Sequence, residues 1–416
     1  MRILLLTHYF EPENGAPQRR WYALIERLVA AGHQVHVVAP PPHYPTGSVA
    51  AGLPRSLLPG GSAVGAHGAT VHRVAYLPHS RSMISRTVDH IWVAGASIAT
   101  VRRLVRSGAI HPDVVVATAP GLPSLVAGGF IARRLRVPFV AEMRDAWPDL
   151  VSFTPGLAQE RGVMKRVKQR VHEAVTALQR RAALVVTTTE SFAAVLRERG
   201  IDRVEVIRNG TDLGRYAVLP ETVHDHDALR VLYMGTVGRS QGLETVIRAT
   251  ALVRSAGLAI ETRIVGYGAD VRNLSALNAA LDYPVELLSR VDADEVFGHY
   301  AWADTVLVSL RDWEPFEWTV PSKLYELLAT GKHITALVAG EAAHIVRLTG
   351  AGDVVAPGDA RALAELWTSL AAARHRLSGR DGGRAWVAKN VDYDVIAEKY
   401  RLLLEATAAC RASGVA

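Results

Sequence analysis

Short apolar segments alternate with amphipathic helical patterns along almost the whole chain, and this alternation limits the possible folds more than any other feature. In the N-terminal half, the apolar runs cover residues 3–7, 35–39, 114–118, 139–142, 184–187 and 204–207, with helical patterns at 19–31, 124–136 and 190–199. Continuous apolar strands between amphipathic helices indicate a parallel sheet covered on both faces. This half is therefore predicted to be a doubly wound α/β domain.

The same rhythm restarts in the second half of the chain. Strands are predicted at 230–234, 261–265, 305–310 and 334–338, and helices at 243–256, 322–329 and 361–373. A length of 416 residues also favours two domains. The predicted organisation is an N-terminal domain at 1–216, a linker at 217–228 without apolar period, a C-terminal domain at 229–390, and a last helix within 391–416, for which packing back on the N-terminal domain is one arrangement. Two such domains in series predict a ligand-binding cleft between the carboxyl edges of their sheets.

Composition excludes several functional classes. The single cysteine, Cys410, excludes a disulfide framework and a cysteine zinc site and favours a reducing cytoplasm. No apolar run reaches the length of a membrane span, so a cytoplasmic protein is expected, with the inner face of the cytoplasmic membrane as a further location. The net charge of +7 favours an anionic partner. Nucleic acid is not expected, because no zinc finger, RNA-binding aromatic signature or long basic arm is present.

Two strand-to-helix loops carry glycines beside basic side chains. The loop after the first strand contains His8, Gly15 and Arg19, and the loop at 234–242 contains Gly238 and Arg239. Neither has the dinucleotide-binding or P-loop glycine pattern. A glycine beside a helix N-terminus lets backbone N–H groups approach a phosphate, and a guanidinium can neutralise a diphosphate. An ordinary strand-to-helix turn is the alternative for the first loop.

The strongest motif is the segment 321–326, with the sequence Pro-Ser-Lys-Leu-Tyr-Glu. Proline is typical of a helix start, and Ser322 is predicted to cap exposed N–H groups. Lys323 and Glu326 lie three residues apart, hence on one helical face, where the cation could meet a phosphate and the carboxylate could accept ribose hydroxyls. A surface ion pair on an amphipathic helix is the alternative interpretation.

Taken together, these segments resemble the family-4 glycosyltransferases of the GT-B fold, most of all the bacterial fucosamine- or fucose-type transferases of O-antigen, capsule and colanic acid assembly. The resemblance spans nearly the full chain and lies in residues 9–15, 144–148, 207–212, 235–242 and 321–332. It implies a retaining transfer of a sugar from a nucleotide-diphosphate sugar to a hydroxyl of a glycan or lipid-linked acceptor, without metal and without a cofactor other than the donor.

The resemblance also implies roles for individual residues. It places Gly15, Arg239, Lys323, Glu326 and Glu341 at the donor, and Asp145 near the acceptor hydroxyl or the transferred sugar. The loops and the helix start themselves add Gly238, Gln241 and Ser322 to donor binding, and His8 and Arg19 to acceptor binding. Catalysis is assigned to Asp145, Arg239 and Lys323.

Two departures from the family pattern leave the sugar open. Where the family has the first of two glutamates, this chain has Trp318, with Glu317 beside it and Glu314 nearby. Where many relatives have a lysine in the second glycine loop, this chain has Gln241, which cannot neutralise a phosphate.

Other functions compete with a cell-surface polysaccharide transferase. They are a glycosyltransferase of secondary metabolism, a non-hydrolysing nucleotide-sugar 2-epimerase, and a non-catalytic transferase-like subunit. A basic amphipathic stretch is predicted either to contact an anionic membrane or to be a solvated helix face; it contains Lys165, Arg166, Lys168 and Arg170, followed by Arg180 and Arg181. The histidines show no ligand spacing, and most are predicted to be structural or solvated.

Overall fold

The computed structural model describes residues 1–412 apart from 14, 45, 81, 153–162, 217–218, 220–225, 293 and 379–380. The chain forms two compact units, one of Met1–Asn209 with Tyr393–Ala416 and one of Gly210–Asp392. The change of unit thus lies at Asn209, before the predicted boundary at 216. Most of the predicted linker lies outside the described residues. The end of the predicted linker contacts the second unit, because His226 Nε2 lies 3.3 Å from the buried carboxylate of Asp304.

The first unit is built on one sheet of eight strands among the described residues. They are β1 (Arg2–Leu6), β2 (Gln34–Ala39), β3 (Ser62–Val64), β4 (Thr70–Arg73), β5 (Val114–Thr118), β6 (Phe139–Met143), β7 (Leu184–Thr187) and β8 (Val204–Val206). Its helices are α1 (Ala16–Ala30), α2 (Met83–Arg106), α3 (Leu122–Leu135), α4 (Asp149–Ser152), α5 (Val163–Arg180) and α6 (Glu190–Glu198).

The strand order is β3-β4-β2-β1-β5-β6-β7-β8, and every pairing is parallel except that of β3 with β4. Between residues 40 and 113, where the sequence pattern predicts no element, the structure has β3, β4 and α2. Helix α2 has apolar residues on a buried face and on an exposed face, for example Val93 and Ile91. A single amphipathic period is therefore absent from its sequence.

The second unit repeats the architecture. Its strands are β9 (Leu229–Met234), β10 (Ile260–Val265), β11 (Glu286–Leu288), β12 (Thr305–Ser309), β13 (His333–Leu337) and β14 (Gly352–Val355). Its helices are α7 (Glu244–Ser255), α8 (Val271–Ala280), α9 (Val296–Trp302), α10 (Glu314–Glu317), α11 (Ser322–Thr330), α12 (Gly340–Thr349), α13 (Ala360–Ala372) and α14 (Gly382–Asn390).

This second sheet has the order β11-β10-β9-β12-β13-β14, and all its pairings are parallel. Apolar cores lie on both of its faces: Trp367 and Leu363 of α13 belong to one, and Leu324 and Tyr325 of α11 to the other. The prediction of two doubly wound α/β domains is confirmed. Among the described residues no helix combines the length and apolar character that crossing a bilayer requires.

The last helix, α15 (Tyr393–Ala412), returns to the first unit. Its residues Ile396, Tyr400 and Leu404 share one core with Trp21 and Leu24 of α1. The C-terminal segment is therefore an integral layer of the N-terminal unit.

A buried ion pair holds α1 to the sheet of the first unit. Arg20 and Glu142, with side chains 1% and 0% exposed, approach to 3.0 Å. Arg20 also donates to the carbonyl of Ile207 at 3.0 Å, and Trp21 Nε1 donates to the second Glu142 oxygen at 2.9 Å. Since buried charges are tolerated only when fully partnered, this network couples α1, β6 and the segment after β8.

We expect Glu142→Ala to lower the free energy of unfolding of the first unit by about 3–5 kcal/mol, because it leaves the Arg20 guanidinium buried without its counter-ion. The matched control is Asp113→Ala, which removes the half-buried partner of the exposed Arg2 and should cost about 1 kcal/mol or less. Urea unfolding followed by tryptophan fluorescence and circular dichroism measures both. Equal losses in the two variants would show that the buried pair has no special role.

Candidate functional site

The motif at 321–326 forms the beginning of α11, which follows β12 and α10 in the second unit. Pro321 is the N-cap residue, and no side chain caps the helix. The prediction that Ser322 caps the helix is therefore wrong: proline occupies the cap position, so Ser322 is already the first helical residue. The first-turn N–H groups of α11 have no side-chain acceptor from the cap.

Lys323 and Glu326 lie together on one face of α11, as their spacing predicts. Lys323 Nζ is 2.7 Å from Glu326 Oε2, and the two side chains are 27% and 13% exposed. Tyr300 Oη lies 3.5 Å from Lys323 Nζ, and Tyr216 Oη donates to Glu326 Oε2 at 3.4 Å. Burial and the nearby Glu326 charge raise the pKa of the Tyr216 phenol, so it stays a donor. The pair is thus partly buried and held by two tyrosines, unlike a solvated surface ion pair.

The glycine loop after β9 passes beside this pair. A Cβ at Gly235 would lie 3.8 Å from Lys323 Cε. The loop after β10 packs so tightly on the same segment that a Cβ at Gly266 would lie 1.8 Å from the Gly235 carbonyl oxygen, and one at Gly268 would lie 2.1 Å from that of Val237. Close main-chain packing therefore fixes the loop after β9 where it passes Lys323.

Arg239 lies in a single 3₁₀ turn, Arg239–Gln241, that follows this loop. Its side chain is exposed, while its carbonyl accepts a hydrogen bond of 2.8 Å from Arg311 Nε. Gln241 Oε1 accepts from the Gly238 N–H at 3.1 Å, so this side chain braces the loop internally. The loop leaves one guanidinium available to solvent at the end of β9.

The first turn of α12 carries Glu341, which is 7% exposed. Gly340 has φ +56°, and a Cβ there would lie 2.1 Å from the carbonyl oxygen of Glu317. The backbone at the end of α10 thus lies against the start of α12. In this segment Glu317 is exposed and Trp318 is half-buried, so a carboxylate remains one residue from the position where the family glutamate is expected.

The segment 321–332, which carries part of the family resemblance, ends at Lys332, and this lysine has a structural role. Lys332 is 4% exposed, and its Nζ donates to the Ala303 carbonyl at 2.9 Å. Burial lowers the pKa of this ammonium group to about 8, although Asp304 opposes the shift. Lys332 therefore fastens the end of α11 to the segment before β12.

In the first unit, the predicted residues separate into surface and interior positions. Gly15 is the N-cap of α1 and Arg19 is exposed on its first turn, whereas neighbouring Arg20 is buried in the Glu142 ion pair. Asp145 follows β6 and is exposed. Desolvation by surrounding protein raises the pKa of its carboxyl, and the charge of Arg144 opposes the rise.

His8 occupies an interior position. It is 2% exposed, and its Nε2 lies 3.2 Å from Asp89 Oδ2. His43 and His79 point at the same carboxylate oxygen, each with Nε2 at 3.9 Å. The histidines show no ligand spacing in the sequence, because these residues come from separate loops and from α2. Direct contact of His8 with an acceptor stays a prediction.

The predicted site residues follow the carboxyl ends of strands in both units. In the second unit they follow β9, β12 and β13, and in the first unit β1 and β6. Such edges are where doubly wound sheets bind ligands. The second unit brings Lys323 and Glu326 together beside the Gly235 loop. Sequence reasoning missed Tyr216 and Tyr300, which no motif marks.

Comparison with known proteins covers both units. Residues 15–210 match the family profile described as "Glycosyl transferase 4-like domain", and residues 228–372 match "Glycosyl transferases group 1". The Escherichia coli K12 protein named "Putative colanic acid biosynthesis glycosyl transferase WcaI" is 26% identical over 373 residues, which cover 82% of this chain and 84% of that protein.

Solved structures share the fold at low identity. Sucrose-phosphate synthase from Thermosynechococcus elongatus superposes with a TM-score of 0.73 at 19% identity, covering 97% of this chain and 99% of that one. Anabaena Alr3699/HepE in complex with UDP superposes with a TM-score of 0.70 at 18% identity, covering 98% and 100%. With both halves of the chain matched in order, this protein belongs to the family-4 glycosyltransferases of the GT-B fold.

Proposed function

We propose that this enzyme is a retaining transferase that moves a sugar from a nucleotide-diphosphate sugar to a hydroxyl of a glycan or lipid-linked acceptor during cell-surface polysaccharide biosynthesis. The observation that carries the proposal is the Lys323–Glu326 pair, held 2.7 Å apart beside the Gly235 loop. The name of the E. coli relative supports a role in polysaccharide assembly. The HepE complexes with UDP and UDP-glucose support a uridine diphosphate donor as the first probe.

In the proposed complex, the donor rearranges the ion pair. The Lys323 ammonium turns to the diphosphate, and Glu326 accepts hydrogen bonds from the ribose hydroxyls. Arg239, exposed on its 3₁₀ turn, adds a second positive charge, and the uncapped first turn of α11 adds backbone donors. Glu341 at the start of α12 is proposed to lie near the ribose or the sugar, and Gly15 near the phosphates.

These groups stabilise charge where it develops. As the C1–O bond to the diphosphate breaks, the electron pair goes to the leaving phosphate, where Lys323 and Arg239 stabilise it. The acceptor hydroxyl attacks C1 from the same face and passes its proton to the leaving phosphate oxygen. Attack from that face retains the anomeric configuration. Asp145, the exposed carboxylate after β6, is proposed to hold the acceptor hydroxyl or the transferred sugar. We further propose that no metal takes part in this step, because two cationic side chains supply its charge.

We expect Lys323→Ala to weaken binding of UDP or the true donor diphosphate by about 10- to 100-fold and to abolish transfer, because a charge-assisted phosphate contact is lost. Lys389→Ala is the matched control, since it removes an exposed lysine from α14 of the same unit. Calorimetry with UDP and a thermal-shift panel of nucleotide-sugars measure binding, and product assays measure transfer. A Lys323→Ala enzyme that keeps most of its activity would refute the diphosphate assignment.

The same preparations distinguish the competing functions. Incubation with donor alone leaves the sugar unchanged for a transferase, whereas a 2-epimerase converts it without acceptor. The anomeric coupling constant of the product, measured by NMR, separates retention from inversion. Failure of the unaltered protein to bind any nucleotide diphosphate would favour a non-catalytic subunit.

We also propose that the first unit contacts an anionic membrane surface, where a lipid-linked acceptor would reside. The residues Ile84, Val88, Ile91 and Trp92 share one face of α2 and are 78%, 50%, 59% and 52% exposed. Arg102, Arg103 and Arg106 are exposed near the end of the same helix. On α5, Val167 and Val171 are exposed among Lys165, Arg166 and Arg170. Apolar groups beside cations complement an anionic lipid surface.

The double variant Ile91→Ser/Trp92→Ser should reduce binding to vesicles that contain anionic lipid by roughly tenfold or more, because two large side chains no longer bury apolar area. Val64→Ser, which alters an exposed valine on β3, is the control. Vesicle sedimentation at low and high salt measures the effect, and salt should weaken binding by the unaltered protein. Equal binding by all three proteins would exclude α2 as the contact.

A further inference from the structure

Four side chains from distant parts of the sequence converge on one point inside the first unit. His8 follows β1, His43 follows β2, His79 follows β4, and Asp89 lies on the buried face of α2. The Nε2 atoms of the three histidines lie 3.2, 3.9 and 3.9 Å from Asp89 Oδ2. One ligand atom from each of His8, His43 and Asp89 lies within 4.8 Å of the other two.

These atoms are buried and lack hydrogen bonds. The side chains of His8, His43, His79 and Asp89 are 1%, 1%, 8% and 0% exposed. Among the described residues, Asp89 Oδ2 and the three Nε2 atoms make no hydrogen bond of acceptable geometry. His8 Nε2 and Asp89 Oδ2 are in ion-pair contact at 3.2 Å, whereas the Nε2 atoms of His43 and His79 come no nearer to Asp89 Oδ2 than 3.9 Å. A buried polar atom without a partner costs about 1–3 kcal/mol, so these two nitrogens are destabilising unless a further group satisfies them.

The second nitrogen of two rings is already engaged. His43 Nδ1 lies 2.7 Å from the Pro41 carbonyl oxygen, and His79 Nδ1 lies 3.0 Å from that of Ser80. A ring nitrogen beside a carbonyl carries the proton, which makes Nε2 of a neutral ring a lone-pair acceptor. Both lone pairs then point at a carboxylate oxygen. A lone pair of each ring nitrogen then faces a lone pair of the carboxylate oxygen, which is repulsive. A cation bound between these atoms replaces the repulsion with attraction.

The carboxylate is oriented in the same way. Asp89 Oδ1 accepts a hydrogen bond of 2.8 Å from the Leu77 N–H, which leaves Oδ2 directed at the histidines. Hydrogen bonds between the far side of the ligand groups and the backbone are the usual support of a metal site, since they set the tautomer and the direction of the ligand atoms.

We propose that His8, His43, His79 and Asp89 form a tetrahedral site for a divalent transition metal, with Zn²⁺ as its natural occupant. Ligand atoms of a tetrahedral zinc site are about 3.3 Å apart, given bonds of about 2.0–2.1 Å. The distances of 3.2–3.9 Å from the three Nε2 atoms to Asp89 Oδ2 are close to that spacing. His79 lies outside the group of three residues whose ligand atoms are all within 4.8 Å of one another, so its ring moves towards His8 and His43 when the ion binds. Neutral imidazoles and one carboxylate are ligands that zinc accepts.

The proposed ion is structural. Four protein ligands and nearly complete burial leave no open position for substrate, which is the signature of a closed site. Its effect is to fasten the loops after β1, β2 and β4 to α2 at the carboxyl edge of the first sheet. The proposal stands independently of the proposed donor site, whose charged residues Arg239 and Lys323 belong to the second unit. A zinc ion on His8 would take the place of the predicted contact of this residue with the acceptor.

The test begins with metal content. Full-length protein without a histidine tag is analysed by plasma mass spectrometry, stripped with a chelator, and titrated with Zn²⁺ in a calorimeter. We expect about one zinc per chain, a lower melting temperature after stripping, and its recovery when Zn²⁺ is added back, because a ligand bound only by the folded state stabilises it. A stripped, folded protein that neither binds Zn²⁺ nor changes its melting temperature overturns the proposal.

Variants then locate the ion. Asp89→Asn keeps the acceptor for the Leu77 N–H but should lose the zinc and the effect of the chelator. His36→Gln is the matched control: His36 Nδ1 lies 3.2 Å from His72 Nε2 on neighbouring strands, which makes that pair the rival site. Loss of zinc in His36→Gln with retention in Asp89→Asn would overturn the assignment. If Asp89→Asn fails to fold, His79→Gln, at the least buried ligand, replaces it with the same two outcomes.

Substitution with Co²⁺ gives a readout of geometry. Tetrahedral Co²⁺ absorbs visible light much more strongly than octahedral Co²⁺, so the stripped protein should turn visibly blue on titration and Asp89→Asn should not. A spectrum of octahedral Co²⁺ in the unaltered protein would contradict the four-ligand site.

Discussion

The ion pair of Arg20 with Glu142 is the interaction on which the first unit depends. Two charges with almost no exposure lie between α1 and β6, and they are tolerated because Trp21 and main-chain carbonyls fill their remaining hydrogen-bonding positions. The pair determines where α1 lies on the sheet. Helix α15 packs on α1 in turn, so the placement of the last segment of the chain follows from the same contact.

In the second unit, the candidate site forms where the loop after β9 passes close to the Lys323–Glu326 ion pair. Gly266 and Gly268 let the loop after β10 lie against the loop after β9, which passes Lys323. Glu326 neutralises the partly buried ammonium group of Lys323. In the donor complex proposed above, the diphosphate competes with this carboxylate for the lysine, and the ribose hydroxyls compensate the carboxylate in return. This exchange favours ligands that carry both groups over inorganic phosphate.

The sequence predicts what depends on local pattern. Strands β5 and β7 have the predicted bounds, because a fully buried parallel strand is a short continuous apolar run. The pairing of Lys323 with Glu326 follows from helical spacing. Helix α2 could not be predicted in this way, since its apolar residues cover two faces. The histidine cluster is invisible to spacing because parallel strands with long crossovers bring together residues far apart in sequence, here His8 and Asp89.

The return of α15 to the first unit has a consequence for cutting the chain. Residues Gly210–Asp392 are continuous, and their two ends are adjacent, since Thr211 pairs with Asp392 in an isolated bridge. That segment is a natural fragment for separate expression. The first unit is discontinuous: a fragment that stops at Asn209 would expose the apolar surface of α1 that Tyr400 and Leu404 cover. Such a fragment would need α15 supplied in trans or spliced on through a short linker, as in an insertion of one domain into another.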